Sequence, residues 1–123
     1  MPVIQAPTAF THELPHVRFY SLATPSRGSR ETSVWRIEIE AAAETASHTL
    51  TREEIFVVLE GVVRIELDGQ VGRAAEGDAI VVPKGSQFSL SCIGERAELL
   101  CCLPVGGQAR IGSGQLFTPP WAE

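Results

Sequence analysis

Residues 54–69, with the sequence EIFVVLEGVVRIELDG, decide the fold class of this chain. The first half is a compact run of β-branched and aromatic residues, which the dipeptide Glu60-Gly61 closes as a predicted turn. In the second half, apolar residues alternate with Arg64 and Glu66, a period of two that predicts a strand with one buried face. Asp68-Gly69 then predicts a tight hairpin. This stretch therefore predicts two β-strands and the start of a third.

The same kind of pattern extends to both sides of this stretch. Residues 33–40 alternate between apolar and charged side chains, and short apolar or alternating runs cover residues 79–82, 88–90 and 97–103. Glycine and proline separate these runs, and no segment has the sustained period of about 3.6 residues that a helix requires. Short strands with frequent turns are typical of a sandwich or a closed barrel. We therefore predict an all-β fold in a single domain.

Composition excludes several classes of function. The chain has 123 residues, a net charge of −5 and a single lysine, Lys84, so it lacks the basic stripe that a nucleic-acid partner requires. Its longest strongly apolar runs hold five residues, far fewer than the roughly 20 of a membrane-spanning helix. No lysine or arginine precedes Arg18 and no long apolar segment follows the start, which predicts a cytoplasmic protein without a secretory signal.

The domain prediction has three parts. Residues 1–30 are proline-rich without sustained periodicity and are predicted to be an extended arm with one short strand. Residues 31–105 form the predicted barrel core, and residues 106–123 form a tail that packs on the barrel or on a partner subunit. A barrel this small leaves open edges, so we expect a homodimer in which the arm pairs with the partner's sheet.

The stretch HTLTREEIFVVLEG, residues 48–61, resembles the first sequence motif of the cupin family. That motif has an opening glycine, two histidines separated by one residue, a glutamate and a closing glycine. His48, Glu54 and Gly61 stand at matching positions, whereas Leu50 replaces the second histidine and Ala42 replaces the opening glycine. The resemblance implies a double-stranded β-helix, the jelly-roll barrel of that family.

The second cupin motif matches at its glycine and proline positions but not at its histidine and asparagine positions. Gly77, Pro83 and Gly85 have its spacing, while Phe88 stands at its histidine position and Cys92 at its asparagine position. The two motifs place the resemblance over about residues 34–103.

The ligand set that the family uses for a metal ion is incomplete. The resemblance implies three histidines and a glutamate around Fe, Mn, Zn or Ni, but only His48 and Glu54 match, and Leu50 and Phe88 occupy the other positions. We therefore expect no tightly bound cofactor. A divalent metal would require ligands from the arm or from a cysteine. The candidates for completing such a set are His12, His16, Cys92, Cys101 and Cys102.

Three classes of function are left open by these residues. In the first, the chain is a metal-independent enzyme in which His48 and Glu54 perform acid–base chemistry on a small molecule, with Glu54 favouring the charged imidazolium. In the second, the barrel binds or senses a small molecule without catalysis. In the third, it is a dioxygenase-like metalloenzyme whose ligands are completed from elsewhere. The predicted pocket residues, besides His48 and Glu54, are Leu50, Phe56, Val58, Phe88 and Trp35, and further aromatic lining is expected from Phe117 and Trp121.

Overall fold

The computed structural model describes residues 2–43 and 46–123. Over these residues the chain forms nine strands and two short 3-10 turns, so the all-β prediction is confirmed. No helix in this part of the chain has the length and hydrophobicity needed to cross a membrane. The strands are β1 (His12–Leu14), β2 (Val17–Ala23), β3 (Thr32–Glu40), β4 (His48–Leu50), β5 (Glu54–Leu67), β6 (Gln70–Ala75), β7 (Ala79–Val82), β8 (Phe88–Pro104) and β9 (Ala109–Ile111).

Strands β5 and β8 form the central antiparallel pair. Their pairing runs from Ile55 opposite Cys102 to Leu67 opposite Phe88. The other edge of β8 pairs with β3, which in turn pairs with β2, and β2 pairs with β1. Strands β6 and β7 pair with β5, and β4 lies between β8 and β9. The curled sheet encloses one core, and the predicted alternation of β3 is confirmed because Trp35, Ile37 and Ile39 are all buried.

The predicted turn at Glu60-Gly61 is wrong, because β5 continues through it with a bulge. The register of β5 against β8 shifts on both sides of Glu60, and Gly61 adopts a φ of 82°. A Cβ atom added at Gly61 would lie 2.6 Å from the carbonyl oxygen of Arg96, so no larger residue fits there without a shift of the backbone. The glycine therefore bends one long strand around the barrel. The hairpin predicted at Asp68-Gly69 is confirmed, with φ values of 48° and 84°.

Both ends of the chain lie against the barrel. In the predicted arm, residues 1–30, strand β2 pairs with β3 of the same chain over Val17 to Ala23. The tail packs back onto these strands: the ring of Trp121 stacks on Phe19 at a centroid distance of 3.7 Å, and the Ser21 hydroxyl donates to the Trp121 carbonyl at 2.7 Å. The homodimer involves a second chain and stays a prediction.

We expect Gly61→Ala to destabilise the protein more than Gly77→Ala. Both glycines have positive φ, which costs an alanine about 1–3 kcal/mol, but only at Gly61 would the added Cβ meet backbone atoms, since Gly77 has nothing within 4 Å. Urea unfolding of the two variants measures the difference. Equal losses of unfolding free energy would contradict the role assigned to the bulge.

Candidate functional site

The barrel encloses a cavity of about 200 Å³ whose walls are almost entirely apolar. The predicted site residues that line it are His48, Leu50, Glu54, Phe56, Phe88 and Trp35, and the predicted aromatic residues Phe117 and Trp121 also face it. These side chains come from β3, β4, β5, β8 and the tail. The barrel thus brings together residues that are far apart in the sequence.

Val58 was predicted to line the same cavity, and the structure places it elsewhere. Val58 is buried in the core but is not part of the cavity wall. It lies opposite Leu99, where the register between β5 and β8 begins to shift toward the bulge at Gly61. Strand alternation assigned the correct face to Val58, but the bulge ends the row of cavity-lining residues before it.

Glu54 is the acidic residue of the cavity. It opens β5 opposite Val82 and is only 5% exposed, while the adjacent Glu53 is exposed, as the alternation predicted. Burial alone raises the pKa of Glu54 to about 8, because the carboxylate form loses its hydration and gains no partner charge. At neutral pH the side chain is therefore a protonated carboxylic acid that can donate a hydrogen bond into the cavity.

His48 is the second ionisable residue of the cavity, on β4. Its Nδ1 lies 2.8 Å from the carbonyl oxygen of Ala46. Because a carbonyl can only accept, Nδ1 carries the proton and Nε2 keeps a free lone pair. Burial lowers the pKa of His48, with the hydrogen bond to Ala46 opposing this. The predicted imidazolium stabilised by Glu54 is wrong, because burial dominates and leaves both groups uncharged at neutral pH.

Several wall residues were not predicted to line the cavity, among them Phe19 and Cys101, the second of which was expected only as a candidate metal ligand. Phe19, in the predicted arm, contributes to the wall together with Trp121. Cys101 faces the cavity as a free, fully buried thiol, and burial raises the pKa of Cys101 well above its usual range, with Glu54 adding to the effect. The alternation in residues 97–103 could have placed Cys101 on the same face as Leu99, but no pattern linked Phe19 to the barrel.

A cupin domain model matches residues 35–103, more than half of the chain. The chain belongs to the cupin family. Among curated protein sequences, no match was found for this cupin.

Solved structures support the same fold. The polyketide cyclase RemF from Streptomyces resistomycificus is similar with a TM-score of 0.70 and 19% identity, over 95% of this chain and 82% of that one. A salicylate 1,2-dioxygenase from Pseudaminobacter salicylatoxidans is similar with a TM-score of 0.71 and 19% identity, over 87% of this chain. This cupin spans 33% of the dioxygenase chain. KdgF from Halomonas sp. has a TM-score of 0.59 and 16% identity over 80% of this chain and 93% of that one. The predicted jelly-roll barrel is confirmed.

The side chains present do not fit a cupin metal ion. Leu50 and Phe88 bring carbon atoms to the cavity wall at two of the motif's ligand positions. Across residues 2–43 and 46–123, no group of three His, Cys, Asp or Glu side chains is arranged to hold an ion. The proposed helpers from the arm lie elsewhere: His12 bonds to Thr11, and the exposed His16 lies 3.4 Å from Glu40.

We expect the contribution of Glu54 to the unfolding free energy to fall as pH rises between about 4.5 and about 8. The folded-state pKa of Glu54 is raised to about 8, so the folded state holds a proton that the unfolded state has already lost. This costs about 1.4 kcal/mol of unfolding free energy per pH unit, and the loss ends above pH 8. Glu54→Gln keeps the shape and removes the proton, so its stability relative to wild type should rise with pH over that interval.

Urea unfolding at a series of pH values measures this difference, with the exposed neighbour Glu53→Gln as the matched control. A Glu54→Gln curve that runs parallel to the wild-type curve from pH 5 to pH 8 would show that Glu54 is ionised in the folded protein.

Proposed function

We propose that this cupin catalyses proton transfer at a small carbonyl compound held in the barrel cavity, using Glu54 as the acid and His48 as the base. The supporting observation is that one apolar cavity contains a carboxyl group that is protonated at neutral pH and an imidazole that is neutral there. Environments that push two pKa values in opposite directions are how a site assigns an acid and a base.

The step follows from the hydrogen-bonding state of each group. The Glu54 carboxyl donates a hydrogen bond to the carbonyl oxygen of the ligand and stabilises the negative charge that develops there. The Nε2 lone pair of His48 accepts the proton from the adjacent carbon, and the electrons of the broken C–H bond form the enolate. The Ala46 carbonyl, 2.8 Å from Nδ1, stabilises the imidazolium that results. Return of this proton from the imidazolium to another carbon of a conjugated enolate completes an isomerisation. In a ring closure the enolate carbon attacks a second carbonyl of the ligand, and the imidazolium returns its proton to the alkoxide that forms, which regenerates neutral His48.

One of the similar structures carries a name in keeping with this choice of chemistry. RemF, which this chain matches over most of both lengths, is named as a polyketide cyclase. The salicylate dioxygenase matches over a smaller part of its own chain. Leu50 and Phe88 stand at two of the motif's ligand positions and cannot bind a metal ion. The residues of this cavity therefore support proton transfer better than they support metal-dependent oxygenation.

Hydrogen–deuterium exchange of a model ketone tests the proposal. We expect the wild-type protein to accelerate exchange of the carbon-bound protons beside the carbonyl of β-tetralone in deuterium oxide, as followed by NMR. Glu54→Gln and His48→Gln should each reduce the acceleration about 100-fold or more, while Glu53→Gln, which changes an exposed neighbour, should leave it unchanged. Binding of the ketone without any exchange would favour the alternative of a non-catalytic binding barrel.

A plot of the exchange rate against pH should show a plateau with a fall in rate on each side. On the acid side, the rate falls where His48 becomes protonated, below its ordinary pKa of 6.5 because burial lowers the pKa. On the alkaline side, it falls as Glu54 loses its proton at about pH 8. In Glu54→Gln the alkaline limb should disappear. An alkaline limb that persists in this variant would assign the acid to another group.

A further inference from the structure

The charges of this protein lie away from the cavity. Among residues 2–43 and 46–123, the ionisable side chains that line the cavity are those of His48, Glu54 and Cys101. No lysine or arginine of these residues lines the cavity. Arginines of the outer face, among them Arg36, Arg64 and Arg96, lie beside carboxylates. Arg36 lies 3.1 Å from Glu38 and over the ring of Tyr20.

The three ionisable groups of the wall are all uncharged at neutral pH. Burial keeps Glu54 protonated, His48 neutral and Cys101 as a thiol. A ligand that carries a carboxylate would lose its hydration on entering and would meet no positive charge in return, so its binding is disfavoured. The neutral Glu54 carboxyl instead offers a donor to an uncharged oxygen.

The aromatic side chains shape the space for a flat molecule. Phe19 and Trp121 both line the cavity and stack on each other with their ring planes 12° apart. Phe56 and Phe88 are tilted by 56° at a centroid distance of 5.9 Å and contribute further ring surface. Flat apolar walls with few polar groups are typical of sites for ring compounds.

We propose, on the basis of the proton-transfer function above, that the ligand is an uncharged ring ketone and that the cavity rejects the corresponding carboxylates. The site therefore selects by charge as well as by shape. A ligand of the salicylate type, a ring that carries a carboxylate, belongs to the rejected class.

Acetophenone and benzoate test this selection, because they have nearly the same shape and differ in charge. By calorimetric titration at pH 7, we expect acetophenone to bind the wild-type protein at least about 30-fold more tightly than benzoate. Benzoate binding as tightly as acetophenone, or no measurable binding of either compound, would overturn the proposal.

A variant at the rim provides the reverse test. Ile111 lines the cavity but is 46% exposed, so Ile111→Arg adds a positive charge at the edge without burying it. We expect this variant to reduce the preference for acetophenone at least about tenfold. Ile93→Arg is the matched control, because Ile93 is 37% exposed and lies outside the cavity wall. An unchanged preference in Ile111→Arg would contradict selection by charge.

The outcome separates this proposal from the proposed function. If acetophenone is preferred but β-tetralone shows no exchange, the selectivity holds and the catalysis fails. If exchange occurs while benzoate binds equally well, the catalysis holds and the charge selection fails.

Discussion

The antiparallel pairing of β5 with β8 is the interaction on which the rest of the structure depends. It spans nearly the full length of both strands and brings Glu54, at the start of β5, close to Cys101 on β8. The same pairing sets Phe88 opposite Leu67. On its other edge, β8 pairs with β4, where Phe88 lies opposite His48. Gly61 allows β5 to bend within this pair, since any side chain there would meet the backbone at Arg96. This bent pair forms one side of the cavity, and β1–β4, β9 and the tail line the rest.

The chemistry of the site follows from where that pairing buries Glu54. A carboxyl group in an apolar wall without a partner charge keeps its proton, and a buried imidazole without a carboxylate partner stays neutral. Leu50 and Phe88 enforce both conditions, because they fill motif ligand positions with carbon. With carbon at these two positions, the cavity holds an uncharged donor and an uncharged acceptor.

The sequence predicted the fold and most of the cavity because these depend on local patterns and on spacing. Alternation located β3, β5 and β8, and the motif spacing brought His48, Glu54 and Phe88 to one interior. Other features depend on contacts distant in the chain. The dipeptide Glu60-Gly61 has the sequence of a turn. Only the pairing with β8, which brings the Arg96 backbone close to Gly61, shows that it forms a bulge.

The charge states of Glu54 and His48 could not be predicted from their positions in one motif. The expectation that Glu54 would charge His48 ignored the cost of burial, which raises the pKa of Glu54 and lowers the pKa of His48, so that neither group carries a charge for the other to attract. Phe19 was missed for a related reason, because only the returning tail, with Trp121 stacked on it, reveals that the first strands belong to the cavity wall.

The protonation state of Glu54 decides which chemistry the cavity can perform. It can be measured directly from the chemical shift of the Glu54 side-chain carboxyl carbon in a ¹³C NMR titration, with Glu54→Gln to assign the signal. The account predicts a midpoint near pH 8, with the carboxyl protonated at neutral pH. A midpoint near the ordinary value of about 4.5 would contradict it, because the cavity would then hold a carboxylate and would lack the acid on which the proposed chemistry depends.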